Sequence, residues 1–179
     1  LDMRRLTKAA HERGIPIGFD IAHSVGSVPH RLHDDDVDFA FWCTYKHLNG
    51  GPGSPAALFV NRRHFGRAPG LAGWYGYVKE RQFDMSITFE HAHSAGAWQM
   101  GTPGVLSAAS LDGALKLFKE AGIDAVRKKS LALTGFLIEM VDERLAHLGY
   151  EVGTPREPER RGGHVAVEHD EGWRICCAL

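Results

Sequence analysis

The chain has 179 residues, 44% hydrophobic and 24% charged, with 21 Lys and Arg against 22 Asp and Glu and a formal net charge of −1. That length can bury a real core, and so balanced a charge lacks the basic footprint of a nucleic-acid or anionic-membrane binder. No apolar run approaches the ~20 residues of a membrane span, and the three cysteines, Cys43, Cys176 and Cys177, have no metal-ligand spacing and fit free thiols in a reducing cytoplasm.

Leu1, Leu6, Ala9 and Ala10 among Arg4, Arg5, Lys8, Glu12 and Arg13 predict a helix over 1–13, stopped by Gly14. Residues 15–20 read as a short buried strand without polar alternation, as in a parallel sheet covered on both faces. Residues 37–43 read as the next strand, and 56–60 as a third after the turn-rich run 49–55. A helix followed by short buried strands indicates α/β packing. Residues 66–104 show little periodicity, but Trp74, Tyr75, Tyr77, Phe83, Phe89 and Trp98 argue against disorder. An ordered irregular stretch of that length is usually functional.

Helices are expected over 105–121 and 123–148, with Gly122 and Gly149 as stops. In the second, Leu133, Leu137, Met140, Val141 and Leu148 recur at helical spacing. Residues 150–152 and 165–167 read as strands of a new unit around the polar insert 154–163, and the apolar run 173–179 as a further strand. Arg127-Lys128-Lys129 and Arg160-Arg161 read as solvated patches. The expected organisation is a larger domain over 1–122, a bridging helix over 123–149 and the beginning of a small domain over 150–179. A chain opening inside a helical pattern at Leu1 and closing on an apolar run is expected to be a segment of a longer polypeptide.

Two strand ends carry the chemistry. Asp20 closes the strand 15–20, and Lys46 follows the strand 37–43 where a Gly-rich loop begins. In α/β sheets the carboxyl ends of strands face the crevice where ligands bind. An acid and a lysine so placed are what pyridoxal 5′-phosphate (PLP) requires, the amine for a Schiff base and the acid for the protonated pyridine nitrogen. The plainer readings are a solvated lysine and an aspartate N-cap. His23 stands three residues after Asp20, so both fit one side of an early helical turn. Tyr45 adjoins the lysine. His30, His33 and Asp34–Asp36 could be read as a metal site, but His33 and Asp34–Asp36 are polar turn material before a strand, consecutive carboxylates cannot all face one ion, and no metal is expected.

Three motifs together resemble the kynureninase family: Gly18-Phe19-Asp20-Ile21-Ala22-His23-Ser24-Val25-Gly26, Val37-Asp38-Phe39-Ala40-Phe41-Trp42-Cys43-Thr44-Tyr45-Lys46-His47-Leu48-Asn49, and Gly73-Trp74-Tyr75-Gly76. Gly101-Thr102-Pro103 and the run from Arg161 to His169 continue the likeness. The resemblance implies an α/β fold of PLP fold type I, aspartate-aminotransferase-like. It implies a mainly parallel large-domain portion and the start of a small C-terminal α+β domain. The implied reaction is PLP-dependent hydrolytic Cβ–Cγ cleavage of L-kynurenine, or its 3-hydroxy form, to anthranilate, or 3-hydroxyanthranilate, and L-alanine. Lys46 and Tyr45 become the catalytic pair, and Asp20, His23, Tyr45, Lys46, Trp74 and Thr102 the cofactor-binding set. Trp74 and Thr102 match positions that reach the PLP phosphate from the partner subunit, so a homodimer with a shared site is implied, without nucleic-acid or membrane partners. The family's cofactor-stacking aromatic and its arginine for the substrate carboxylate fall outside this chain. The alternatives are another fold-type-I enzyme (a cysteine desulfurase or class-V-like aminotransferase) and a catalytically incomplete piece. A desulfurase would need a mobile catalytic cysteine, and none stands out.

Overall fold

Asp2 caps the first helix. Its carboxylate accepts the Arg5 amide at 3.0 Å, and the helix α1 runs Met3–His11 before a turn through Gly14, whose φ is +68°. The expected helix is therefore trimmed at both ends. The computed structural model describes residues 1–179, in which Leu1–Ala22 and His30–Lys116 form one compact unit and His23–Pro29 and Leu117–Leu179 a second.

The first unit is built on a three-stranded sheet of order β1-β2-β3, with β1 at Gly18–Asp20, β2 at Phe39–Cys43 and β3 at Ala56–Val60. β1 and β2 run parallel, with Gly18 beside Phe39 and Asp20 beside Phe41. β3 runs antiparallel to β2, with Phe41 opposite Leu58. β1 is shorter than the expected strand because the Ile17 amide is taken by the Asp38 carboxylate at 2.7 Å instead of by a neighbouring strand.

The sheet is not covered on both faces within this unit. Neighbours in register share a face, and Phe19 and Ala40 lie on a face that is buried, at 8% and 0% exposure. Phe39, Phe41 and Leu58 lie on the other, at 40%, 45% and 42%. The expected uninterrupted burial is thus replaced by alternation. Asp20 shares the open face with Phe41.

Residues 66–104 hold a series of single 3₁₀ turns, including Trp74–Gly76, Lys79–Arg81 and Ala95–Trp98. The Gly73-Trp74-Tyr75-Gly76 motif has a packing reason. A Cβ on Gly73 would lie 2.2 Å from the Met100 carbonyl oxygen, and one on Gly76 would lie 2.4 Å from that of Ala97. Both contacts are with backbone, which cannot rotate away. Gly73→Ala is therefore expected to cost about 1–3 kcal/mol, seen as a fall of several degrees in Tm; an unchanged Tm would contradict the packing.

In the second unit, α3 (Ile123–Arg144) buries Thr134, Ile138 and Val141, at spacings of four and three. Leu133 and Leu137, expected on the inner face, are 56% and 44% exposed. The inner face is therefore one residue out of register with them, and the hydroxyl of Thr134 occupies it by bonding back to the Ser130 carbonyl at 2.9 Å. The two-stranded sheet pairs β4 (Glu151–Val152) with β5 (Val167–Glu168), antiparallel. The expected last strand is instead a helix, Gly172–Ala178, closed by the bonds Ile175 N–H to Glu171 O and Leu179 N–H to Ile175 O. A short apolar run does not by itself distinguish helix from strand, and here it satisfies its backbone locally.

Within the two cationic runs, Arg127 and Arg161 are not simply solvated. Arg161 donates to the Leu131 carbonyl at 3.2 Å and to Thr134 Oγ1 at 3.0 Å, and Arg127 donates to the carbonyls of Pro158 and Arg161 at 2.6 and 2.9 Å. Burial, together with the neighbouring Arg161 cation, pushes the Arg127 guanidinium below its ordinary range. The polar insert has few backbone partners of its own, and the guanidinium forks supply them.

Candidate functional site

Lys46 lies on the loop that leaves β2. Thr44 is 1% exposed, and its hydroxyl sits 2.5 Å from the Pro55 carbonyl and 2.8 Å from Ser54 Oγ. The Gly50 amide donates to the Thr44 carbonyl, and the Asn49 amide to the Lys46 carbonyl, both at 2.9 Å. Asn49 takes φ +57°, a left-handed turn that asparagine tolerates well. A Cβ on Gly50 would stand 2.7 Å from Ser54 Oγ and 2.9 Å from the Thr44 carbonyl oxygen, so only glycine closes this turn without displacement. From α2 (Val105–Ala121), Ser110 Oγ donates to the Gly50 carbonyl at 2.6 Å.

The side chains above this turn are accessible. Tyr45 is 54% exposed, and Lys46 is half-buried, its Nζ 5.9 Å from the Tyr45 ring centre. Asp20, expected as a buried acid, is exposed, because the face of the sheet it occupies is open. Its Oδ1 accepts the Ala22 amide at 2.9 Å, which holds the carboxyl at the strand end. Asp20 is the last residue of β1 and Lys46 lies on the loop just beyond β2, so both belong to the carboxyl ends of two adjacent parallel strands. Neither takes part in an ion pair.

Trp74 and Thr102 form a second grouping. The Tyr75 amide donates to the Met100 carbonyl at 3.3 Å, which brings the chain around Trp74 against the chain just before Thr102. The Trp74 indole N–H donates to the Gln82 carbonyl at 3.3 Å, and its ring meets Phe83 edge-on at 5.6 Å. Thr102 is exposed. His23 is exposed and falls in the second compact unit. The turn that carries it is not the expected helical turn, so Asp20 and His23 are not placed by helix geometry. Two of the acids considered for a metal form ion pairs: Asp35 with Arg4 at 3.0 Å, and Asp36 with Arg63.

At the opposite end of β2, before its first residue, lies a group that sequence reasoning missed. The Asp38 carboxylate, 4% exposed, meets His11 Nε2 at 2.8 Å, Arg63 Nη2 at 2.7 Å and His64 Nε2 at 2.6 Å, besides the Ile17 amide. Burial alone would push this carboxyl up; the hydrogen bonds from His11, Ile17, Arg63 and His64 outweigh it and hold the group well below the usual carboxylate range. An aspartate inside an apolar run was the available signal, but its partners come from three distant stretches.

The Kynureninase C-terminal domain family model matches residues 126–179. Kynureninases from Shouchella clausii, Bacillus anthracis and Geobacillus thermodenitrificans are 58%, 55% and 53% identical over all 179 residues, and the chain spans 42% of the length of each. Among solved structures, a cysteine desulfurase from Escherichia coli matches with a TM-score of 0.70 at 18% identity, over 94% of this chain and 39% of that one. An alanine–glyoxylate aminotransferase from Nostoc sp. matches at 0.63 and 20%, over 93% and 42%. Identities that low speak for the fold alone, and the fold is that of the fold-type-I PLP enzymes. The sequence match narrows the likeness: over all 179 residues the chain is similar to kynureninases, and it spans less than half the length of each.

Proposed function

We propose that the protein carrying this chain is a PLP-dependent hydrolase that cleaves L-kynurenine, or its 3-hydroxy form, between Cβ and Cγ. The products would be anthranilate, or 3-hydroxyanthranilate, and L-alanine. The observation that carries the reading is the placement of Asp20, the last residue of β1, and Lys46, just beyond β2, at the carboxyl ends of adjacent parallel strands, neither in an ion pair. That donor set fits PLP, which offers an aldehyde to an amine and a pyridine nitrogen to an acid. When bound, the cofactor supplies an electron sink for bond breaking in an amino-acid substrate.

The chain's own residues have definable tasks. Lys46 Nζ holds the cofactor and afterwards moves the proton at the substrate α-carbon. The Asp20 carboxylate keeps a proton on the pyridine nitrogen, and its bond to the Ala22 amide fixes its direction. The Tyr45 hydroxyl, exposed beside Lys46, exchanges a proton at the carbonyl oxygen next to the scissile bond. Tyr45 would also help to hold the cofactor phosphate. His23 would help to hold the cofactor, and Trp74 and Thr102 would donate to its phosphate from the partner subunit of a homodimer, an indole N–H and a hydroxyl being suitable donors to an anion. For Trp74 this requires exchanging its bond to Gln82.

The test is to incubate the protein carrying this sequence with PLP and L-kynurenine and follow anthranilate fluorescence. A steady rise that depends on both is expected. No product from kynurenine or 3-hydroxykynurenine would sink the reading, and sulfide released from cysteine would favour a desulfurase.

A further inference from the structure

Three small hydroxyl residues hold the lysine loop, and their hydrogen bonds have a fixed direction. Thr44 has one hydroxyl proton and two oxygen neighbours. The Pro55 carbonyl at 2.5 Å can only accept, so the Thr44 proton goes there. Towards Ser54 Oγ, at 2.8 Å, Thr44 must then accept, and the Ser54 proton points to it. Both oxygens are buried, Thr44 at 1% and Ser54 at 8% exposure, so water does not replace a lost partner freely. Ser110 Oγ also has one proton; its contact with the Gly50 carbonyl at 2.6 Å is shorter than that with Ser107 O at 3.1 Å. The Gly50 amide in turn donates to the Thr44 carbonyl. The two sides of the turn around Lys46 are thus tied to each other, to the strand that follows and to α2.

We infer that Thr44, Ser54 and Ser110 are positioning residues for Lys46, fixing the backbone from which its amine reaches the cofactor. The inference rests on the reading of Lys46 as the cofactor lysine. None of the three touches the reacting atoms. Their effect is to keep the lysine backbone from drifting, and a displacement near 1 Å at a reacting group can cost on the order of 10²-fold in rate.

The test uses the complete PLP-loaded protein and its variants Thr44→Val, Thr44→Ser and Ser110→Ala. Borohydride reduction and peptide mapping come first; absence of the cofactor on Lys46 in the unaltered protein overturns both the reading and the inference. With Lys46 labelled, Thr44→Val is expected to lower kcat about tenfold with KM within about twofold. It should also move the pH midpoint of the cofactor's visible absorbance by about half a unit. Thr44→Ser, which keeps the donor and the acceptor, should restore both. A folded Thr44→Val with unchanged kcat and midpoint, differing only in Tm, overturns the inference while leaving Lys46 as the cofactor residue. If Thr44→Val does not fold, Ser110→Ala decides: a smaller change in the same two readouts supports the inference, and unaltered values overturn it.

Discussion

Replacing Lys46 by arginine in the complete protein is expected to lower kcat/KM for kynurenine by at least about 10³-fold, which corresponds to about 4 kcal/mol of lost transition-state stabilisation. Arginine keeps the positive charge and much of the length of the side chain, but its guanidinium does not give up a proton in proteins, so it has no free nitrogen pair with which to hold the cofactor or take up a substrate proton. Lys46→Ala should be equally inactive. The pair of variants separates chemistry from electrostatics: if the amine acted only as a positive charge, arginine would retain most of the rate. Stability should change little, because Lys46 is half-buried and in no ion pair. Steady-state kinetics together with thermal melts measure both. Activity of Lys46→Arg within tenfold of the unaltered protein would remove Lys46 from the chemistry.

The elements were legible in the sequence where local signals agree. Gly122 and Gly149, both at positive φ, stand at the expected helix stops. The strands at 39–43 and 56–60 follow from apolar runs bounded by turn residues. What periodicity could not supply is partnership. The direction of β3, the open face holding Phe39, Phe41 and Leu58, and the inner face of α3 depend on neighbours far along the chain. The same limit applies to the site. Lys46 and Asp20 could be picked out because each stands at a strand end, and the parallel pairing of β1 with β2 makes those carboxyl ends adjacent. Thr44, Ser54 and Ser110 could not, since a hydroxyl has no sequence signature until its acceptor is located. Asp38 is the extreme case: its setting is formed by His11, Ile17, Arg63 and His64, and removing it tests that setting directly.

Asp38→Asn is expected to cost about 3–5 kcal/mol, because breaking a buried ion network strands its remaining members. Every group around the carboxylate can donate: the Ile17 amide, the Arg63 guanidinium and the imidazoles of His11 and His64. An asparagine amide would point an N–H at one of these donors, so it cannot simply replace the acid. In a thermal melt near neutral pH, Tm should fall by on the order of 10 °C. The variant also tests a pH dependence of known sign. The folded Asp38 carboxyl titrates below its unfolded value of about 3.9, so over that range the unfolded chain binds the proton and the folded chain does not. Its contribution is therefore fully present above the unfolded value and is lost as pH falls through the folded one. Acid titrations of stability should show the unaltered protein losing its advantage over Asp38→Asn below about pH 4, with the two curves converging. Asp38 precedes β2, at the end of that strand away from Lys46, so kcat/KM of the folded variant at low temperature should stay within about threefold of the unaltered protein. A Tm within about 2 °C of the unaltered value would show that the cluster contributes no net stability.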